Sequence, residues 1–290
     1  SSRGGAMDLL TDHLAEARSA YQRRDWSASR AAFVRADGVG PLAVDDVDAF
    51  ATATWRLGHA NEAVRLAERV YVRLVRTDPA AASTAALDIA LKWLTRGDVN
   101  VCRIWMDRSR GLLTGPGDRY LGYLDAVVAV RTRQPVVVRD VDDSGPVALS
   151  WIVQALDAFH GGRGDMGHAL VGRAIPAVES GEVPVEWAGD VYAMLLHLSL
   201  ALADPSGTTQ WTDSMKRWCD THDAPLYHRV RHVYLTTSER ELLTEGSAME
   251  GVHALAAGAA FGRLGEMRRL RGDADGAAAA FAKARRHGVG

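Results

Sequence analysis

One turn recurs along this chain at intervals of about 34 residues, the period of stacked helix–turn–helix units. Arg96-Gly97-Asp98, Arg163-Gly164-Asp165 and Arg271-Gly272-Asp273 are literal copies, and Arg24-Asp25-Trp26 and Leu57-Gly58-His59 are degenerate ones. Weaker breaks at Gln134-Pro135, Asp204-Pro205 and Thr237–Glu241 complete a series near residues 26, 60, 99, 135, 166, 206, 240 and 274. Each such unit is too small to bury its own apolar face, so it is stable only against its neighbours. The expected fold is all-α, a superhelical solenoid of about eight helical hairpins. Val136-Val137-Val138 is too short a β-prone run to carry a sheet.

Packing residues repeat with the turns. In the last unit, Phe261 and Leu264 lie three apart on one helix face and fill the groove between helices. Gly265 and Ala277 are small enough for two helices to approach closely, and Phe281 and Ala284 face the next helix. Gly272 suits the left-handed residue that ends a helix, and Asp273 suits the cap of the following one. Parts of the same pattern recur at Phe50, Ala51, Gly58 and Ala63, and at Ile89, Ala90, Trp93, Gly97 and Cys102. These positions resemble the packing set of tetratricopeptide repeats.

The pattern fails between residues 131 and 146, where Gln134-Pro135, three valines and Asp140, Asp142 and Asp143 follow one another. This stretch reads as an exposed connection within one array spanning residues 7–290. Residues 1–6 read as a vector-derived leader before Met7. A net charge of −2 gives no global pull toward nucleic acid or acidic lipid. No apolar run reaches the ~20 residues that span a bilayer, and Cys102 and Cys219 read as reduced, buried residues of a cytoplasmic protein.

Longer stretches carry a more specific resemblance. The segments 211–219 (WTDSMKRWC), 225–233 (PLYHRVRHV) and 263–273 (RLGEMRRLRGD), with 24–33 (RDWSASRAAF), are similar to the tetratricopeptide region of large actinobacterial regulators of the LuxR type. The resemblance implies a non-catalytic sensor or scaffold part of a transcriptional regulator. Its partner is then a protein segment or a domain of the same regulator, with a small-molecule effector as a further ligand. These 290 residues contain no LuxR-type DNA-binding segment, and Thr236–Arg240 replaces the expected Arg-Gly-Asp-type turn. The chain is expected to be either a fragment of a longer regulator or a stand-alone relative without the output domain. Direct DNA binding by this chain is therefore not expected, whereas a second copy of the chain is a further candidate partner.

Motifs that suggest other chemistry have plainer explanations. Gly162-x-Gly164-x-x-Gly167 has the spacing of a dinucleotide fingerprint, but the residues before it run at helical rather than strand spacing. Asp140-x-Asp142-x-Ser144-Gly145 begins like a calcium loop and puts Trp151 where a bidentate carboxylate belongs. His228 and His232 share a helix face, yet Arg229 and Arg231 beside them repel a cation. No nucleophile–base pair or phosphate loop stands out, so neither an enzyme nor a cofactor or metal is expected.

Two surfaces remain as candidates. An aromatic groove is expected from Trp187, Tyr192, His197, Trp211, Trp218, Tyr227, His228 and His232, and an alternative reading makes it a small-molecule pocket. A basic docking face is expected from Arg268, Arg269, Arg271, Lys283, Arg285 and Arg286.

Overall fold

A computed structural model describes residues 2–288, and these contain fifteen α-helices and no strand. Hairpins form from α1 (Ser2–Gln22) with α2 (Trp26–Val39), α3 (Val44–Arg56) with α4 (Ala60–Thr77), and α5 (Pro79–Arg96) with α6 (Val99–Gly111). After α7 (Arg119–Arg131) come α8 (Val147–His160) with α9 (Gly164–Ser180) and α10 (Val185–Ala201) with α11 (Pro205–His222). The array ends with α12 (Pro225–Leu235), α13 (Glu239–Met249), α14 (Ala254–Leu270) and α15 (Ala274–Arg286). Residues 2–6 of the expected leader extend α1, and residue 1 lies outside the described residues.

The recurring turn has one backbone mechanism. A residue with positive φ closes the first helix, and the next N–H reaches back five residues to a carbonyl. The left-handed positions are Arg24, Gly58, Gly97, Arg133, Gly162, Ala203 and Gly272, so glycine is favoured there but not obligatory. The returning bonds run from Asp25 N to Ala20 O, Asp98 N to Trp93 O, Asp204 N to Ser199 O and Asp273 N to Arg268 O, among others. Those four aspartates then cap the second helix by accepting from the N–H three residues on. The literal copy at Arg163-Gly164-Asp165 is out of register: Gly162 takes the left-handed position, and Gly164 already lies in α9. The seventh break, near residue 240, is built differently. Thr236 is extended and Ser238 caps α13, in keeping with the missing glycine there.

The fourth unit has only one helix. Residues 132–146 run back irregularly where a second helix would lie, with Val136 buried against the core. Arg119 ties down this return: its backbone N–H donates to Ser144 O, and its guanidinium donates to the carbonyls of Asp143 and Gly145. The calcium-like stretch is thus a hydrogen-bonded turn in which the Asp142 carboxylate accepts from Ser144 N. Among the described residues no group of three or more His, Cys, Asp or Glu is placed to hold a metal ion.

A simple solenoid keeps each repeat in contact with its neighbours alone, and this array departs from that rule. The turns of the first three hairpins lie against the C-terminal half of the chain. Arg24 donates to Thr221 O at 2.5 Å, and the Trp26 indole N–H donates to Asp223 O at 2.6 Å. Gly58 faces Leu226 and Arg229 of α12, and Gly97 approaches Ala254 at the start of α14. Arg96 donates to Gly251 O across 155 residues of sequence. The curl places one main core between the two halves, from Trp55 to Ala284, and a smaller one under α1–α4 around Phe33, Phe50 and Val70. Among the described residues no helix is long and apolar enough to cross a membrane.

Candidate functional site

Trp187, Tyr192, Trp211, Trp218 and Tyr227 are core residues, each at most 4 % exposed, so they do not line an open groove. The reason is the close approach of α10, α11 and α12. Gly189 presents no side chain, and a Cβ there would lie under 3.0 Å from three ring atoms of Tyr227. Into that space pack Trp218 with Tyr192 and Tyr227, at centroid distances of 5.3 and 5.4 Å, while the Tyr192 hydroxyl hydrogen-bonds Ser214. His228 and His232 are exposed and face different carboxylates, Asp220 at 3.5 Å and Glu241 at 3.0 Å. His197 is half-buried at the far end of α10 from Trp187. The eight residues therefore do not converge.

The basic face is largely neutralised. Arg271 pairs with Glu239 at 2.9 Å, Arg268 meets the same carboxylate at 4.0 Å, and Arg269 pairs with Glu266 within α14. The Lys283 ammonium lies over the Phe261 ring, 4.9 Å from its centroid. Only Arg285 and Arg286 of this set project as exposed cations with no ion pair among the described residues.

The inner face of the superhelix carries a site of different composition. Helices α3, α5, α7 and α10 surround a cavity of about 210 Å³ with α4 at its back. Asp48 and Thr52 come from α3, Asp88 and Lys92 from α5, Tyr120 from α7, and Glu186 and Trp187 from α10. The spacing of Asp88 and Lys92 puts both on one helix face of α5, with Thr84 one turn before them. The Trp187 indole N–H donates to the Asp88 carboxylate at 3.1 Å, and its ring meets Tyr120 with centroids 4.7 Å apart. Aromatic and carboxylate thus share one wall.

Charge inside the cavity is unevenly compensated. Glu186 pairs with Arg56 at 3.0 Å. Burial opposes its ionisation, but Arg56 and Lys92 outweigh burial and hold the carboxyl below the usual carboxylate range. Asp88 has no such ion pair among the described residues: burial pushes it up to about 6 against the opposing pull of Lys92 and the Trp187 hydrogen bond. Burial also raises Asp48, and there Lys92 pulls the other way. Lys92 is therefore shared among three carboxylates, and with Arg56 committed to Glu186 the cavity keeps about one negative charge at neutral pH.

Sequence reading found only Trp187 of this set. The other signal was the Asp88–Lys92 pair one turn apart on α5; what surrounds it depends on three further helices. No known family's model matches the chain, and no curated protein matches it.

Proposed function

We propose that this chain is a non-catalytic sensor or scaffold module of a regulatory protein, which engages a partner segment on its inner helix face. In this reading the cavity at Asp88 receives a cationic side chain of the partner, lysine or arginine. The observation that carries it is the pairing of the Tyr120–Trp187 aromatics with a carboxylate that lacks a cation of its own. An ammonium or guanidinium there gains both ion pairing and contact with a ring face. The cavity is smaller than the ~300 Å³ at which drug-sized ligand pockets begin, which favours one side chain over a whole effector. A compact amine is the one small-molecule effector that this space suits.

The turn register and the packing residues support tetratricopeptide-like ancestry. The resemblance of residues 211–219, 225–233 and 263–273 supports a place in a cytoplasmic, actinobacterial LuxR-type transcriptional regulator.

Titration of Trp fluorescence with short Lys/Arg-rich, neutral and acidic peptides tests the proposal. Binding by the basic peptides alone is expected, weakened about 10-fold or more in Asp88→Asn by loss of a charge-assisted contact. Equal binding of all three peptide classes, or no effect of the substitution, refutes it. A retained adduct on the 31.3 kDa chain in native mass spectrometry, displaced by small amines, would instead favour the effector.

A further inference from the structure

The outer side of the second and third hairpins carries a charged face of its own. Ala67 and Val70 of α4 form the back of the inner cavity. Arg65, Arg69 and Val72 each lie two residues from one of them, about 200° around the helix, and so point the other way. With Arg76 they follow at i, i+4, i+7 and i+11, a single stripe about 16 Å long. The next outer helix, α6, continues the face. The Tyr71 and Trp105 rings meet edge-on with centroids 4.9 Å apart, and the Arg108 guanidinium lies over Trp105 at 4.2 Å.

Seven arginines against three carboxylates give α4 and α6 together a net charge of +4, on a chain whose net charge is −2. Part of this is compensated. Arg69 pairs with Asp37 of α2 at 3.0 Å, Arg110 pairs with Asp107 and Asp125 at 3.1 and 2.7 Å, and Arg73 donates to Leu42 O. Glu62 is engaged by Arg30 of α2 at 2.6 Å. Arg65, Arg76, Arg103 and Arg108 are exposed and have no ion pair among the described residues. On the C-terminal hairpin, by contrast, Glu239 and Glu266 answer the arginines.

The arrangement works against the helix that bears it, because like charges four apart, as in Arg65–Arg69–Arg73, weaken a helix. A surface under no further demand intersperses both signs. Aliphatic side chains stand among these cations: Val72 is 53 % and Ile104 51 % exposed. Around Val72 lies an open depression of about 410 Å³, lined by Arg65, Glu68, Arg69 and Arg73.

We infer that this outer face docks an acidic amphipathic helix of a partner protein, its carboxylates on Arg65, Arg76, Arg103 and Arg108 and its aliphatic side chains on Val72 and Ile104. Charge selects an acidic occupant, and the guanidinium fork matches the two oxygens of a carboxylate. The second helices of successive hairpins run side by side, and the groove between them suits a helix laid along it with its apolar side inward. Glu68, inside the depression, repels an unbroken row of phosphates but fits the gaps between carboxylates on a helix. Two aliphatic side chains are too few to anchor the face in a bilayer. This face is independent of the inner cavity and of the basic segment proposed for it, and its charge is of the opposite sign.

Fluorescence anisotropy with short dye-labelled helical peptides tests the assignment. A Glu/Leu amphipathic peptide is expected to bind saturably, less tightly as salt is raised. Its Gln/Leu counterpart, duplex DNA and phosphatidylglycerol vesicles should each bind at least about 10-fold more weakly. Arg65→Glu combined with Arg76→Glu should reduce the affinity for the Glu/Leu peptide by about 10-fold or more. Val72→Asp, on an exposed position, should weaken it with every arginine intact. Arg285→Glu combined with Arg286→Glu, a reversal of exposed charge elsewhere, should leave binding unchanged, as should Asp88→Asn in the inner cavity. Absence of saturable Glu/Leu binding, or equal binding of the Gln/Leu peptide, DNA or vesicles, overturns the inference. So does undiminished binding in either α4 variant, or an equal loss in either control.

Discussion

Replacing Gly97 with alanine separates the cost of a turn from the cost of closing the array. Gly97 has φ +99°, and an added Cβ would meet the Ala254 Cβ at 2.7 Å. Gly272 occupies the same place in the last hairpin with φ +83°, and a Cβ there meets nothing within 4 Å. A β-carbon in the left-handed region costs about 1–2 kcal/mol at either position. The gain from restricting the unfolded chain is the same for both and cancels. Gly97→Ala alone must also push apart two backbone-fixed β-carbons at the joint between the third turn and α14, an overpacking cost of about 1–3 kcal/mol. Gly272→Ala should therefore lose about 1–2 kcal/mol, and Gly97→Ala about 2–5 kcal/mol. Urea unfolding followed by circular dichroism on both variants and the parent gives the difference. Equal losses would refute the reasoning, because they would place the third turn away from α14 and the array open in solution.

Three further outcomes follow from the interior. Gly189→Ala forces a methyl group into the Tyr227 ring and should cost about 1–3 kcal/mol or more in the same assay, although glycine-to-alanine changes within helices normally stabilise. Burial raises Asp190 to about 6, above its unfolded value near 3.9, so its protonated form is the one that folding favours. Its contribution is fully present below about pH 4 and lost as pH rises to about 6, so the stability of Asp190→Asn relative to the parent should climb over that window and then level off; a flat difference counts against it. Burial pushes the thiols of Cys102 and Cys219 up to about 12, so a thiol-reactive disulfide reagent should label neither in the folded protein and both in denaturant; rapid native labelling would contradict their placement.

The turns were the most legible part of the chain because their chemistry is local. A left-handed residue followed by a capping aspartate is complete within about six residues, so Gly97-Asp98 and Gly272-Asp273 can be read from sequence alone. Even there one letter pattern misled, since Arg163-Gly164-Asp165 is matched by spelling while Gly162 performs the turn. The aromatic groove was misplaced for a different reason. Helical spacing shows which side a tryptophan points to, but not whether another helix covers that side. Gly189 is what lets Tyr227 and α12 cover it.

The inner-face cavity lay beyond local reading altogether. Its wall joins Asp48, Asp88, Tyr120 and Trp187, residues separated by tens of positions and brought together only where four helices meet. The sequence by itself determined an all-helical repeat array, its unit length and the sites of its turns, because periodicity and capping act between near neighbours. Tertiary structure decided that the array curls back on itself, that the fourth unit substitutes an irregular return for a helix, and that Asp88, among the described residues, has no ion pair where it is buried. Those features arise from small rotations between hairpins that add up along the chain. They become contacts only where residues up to 197 positions apart meet.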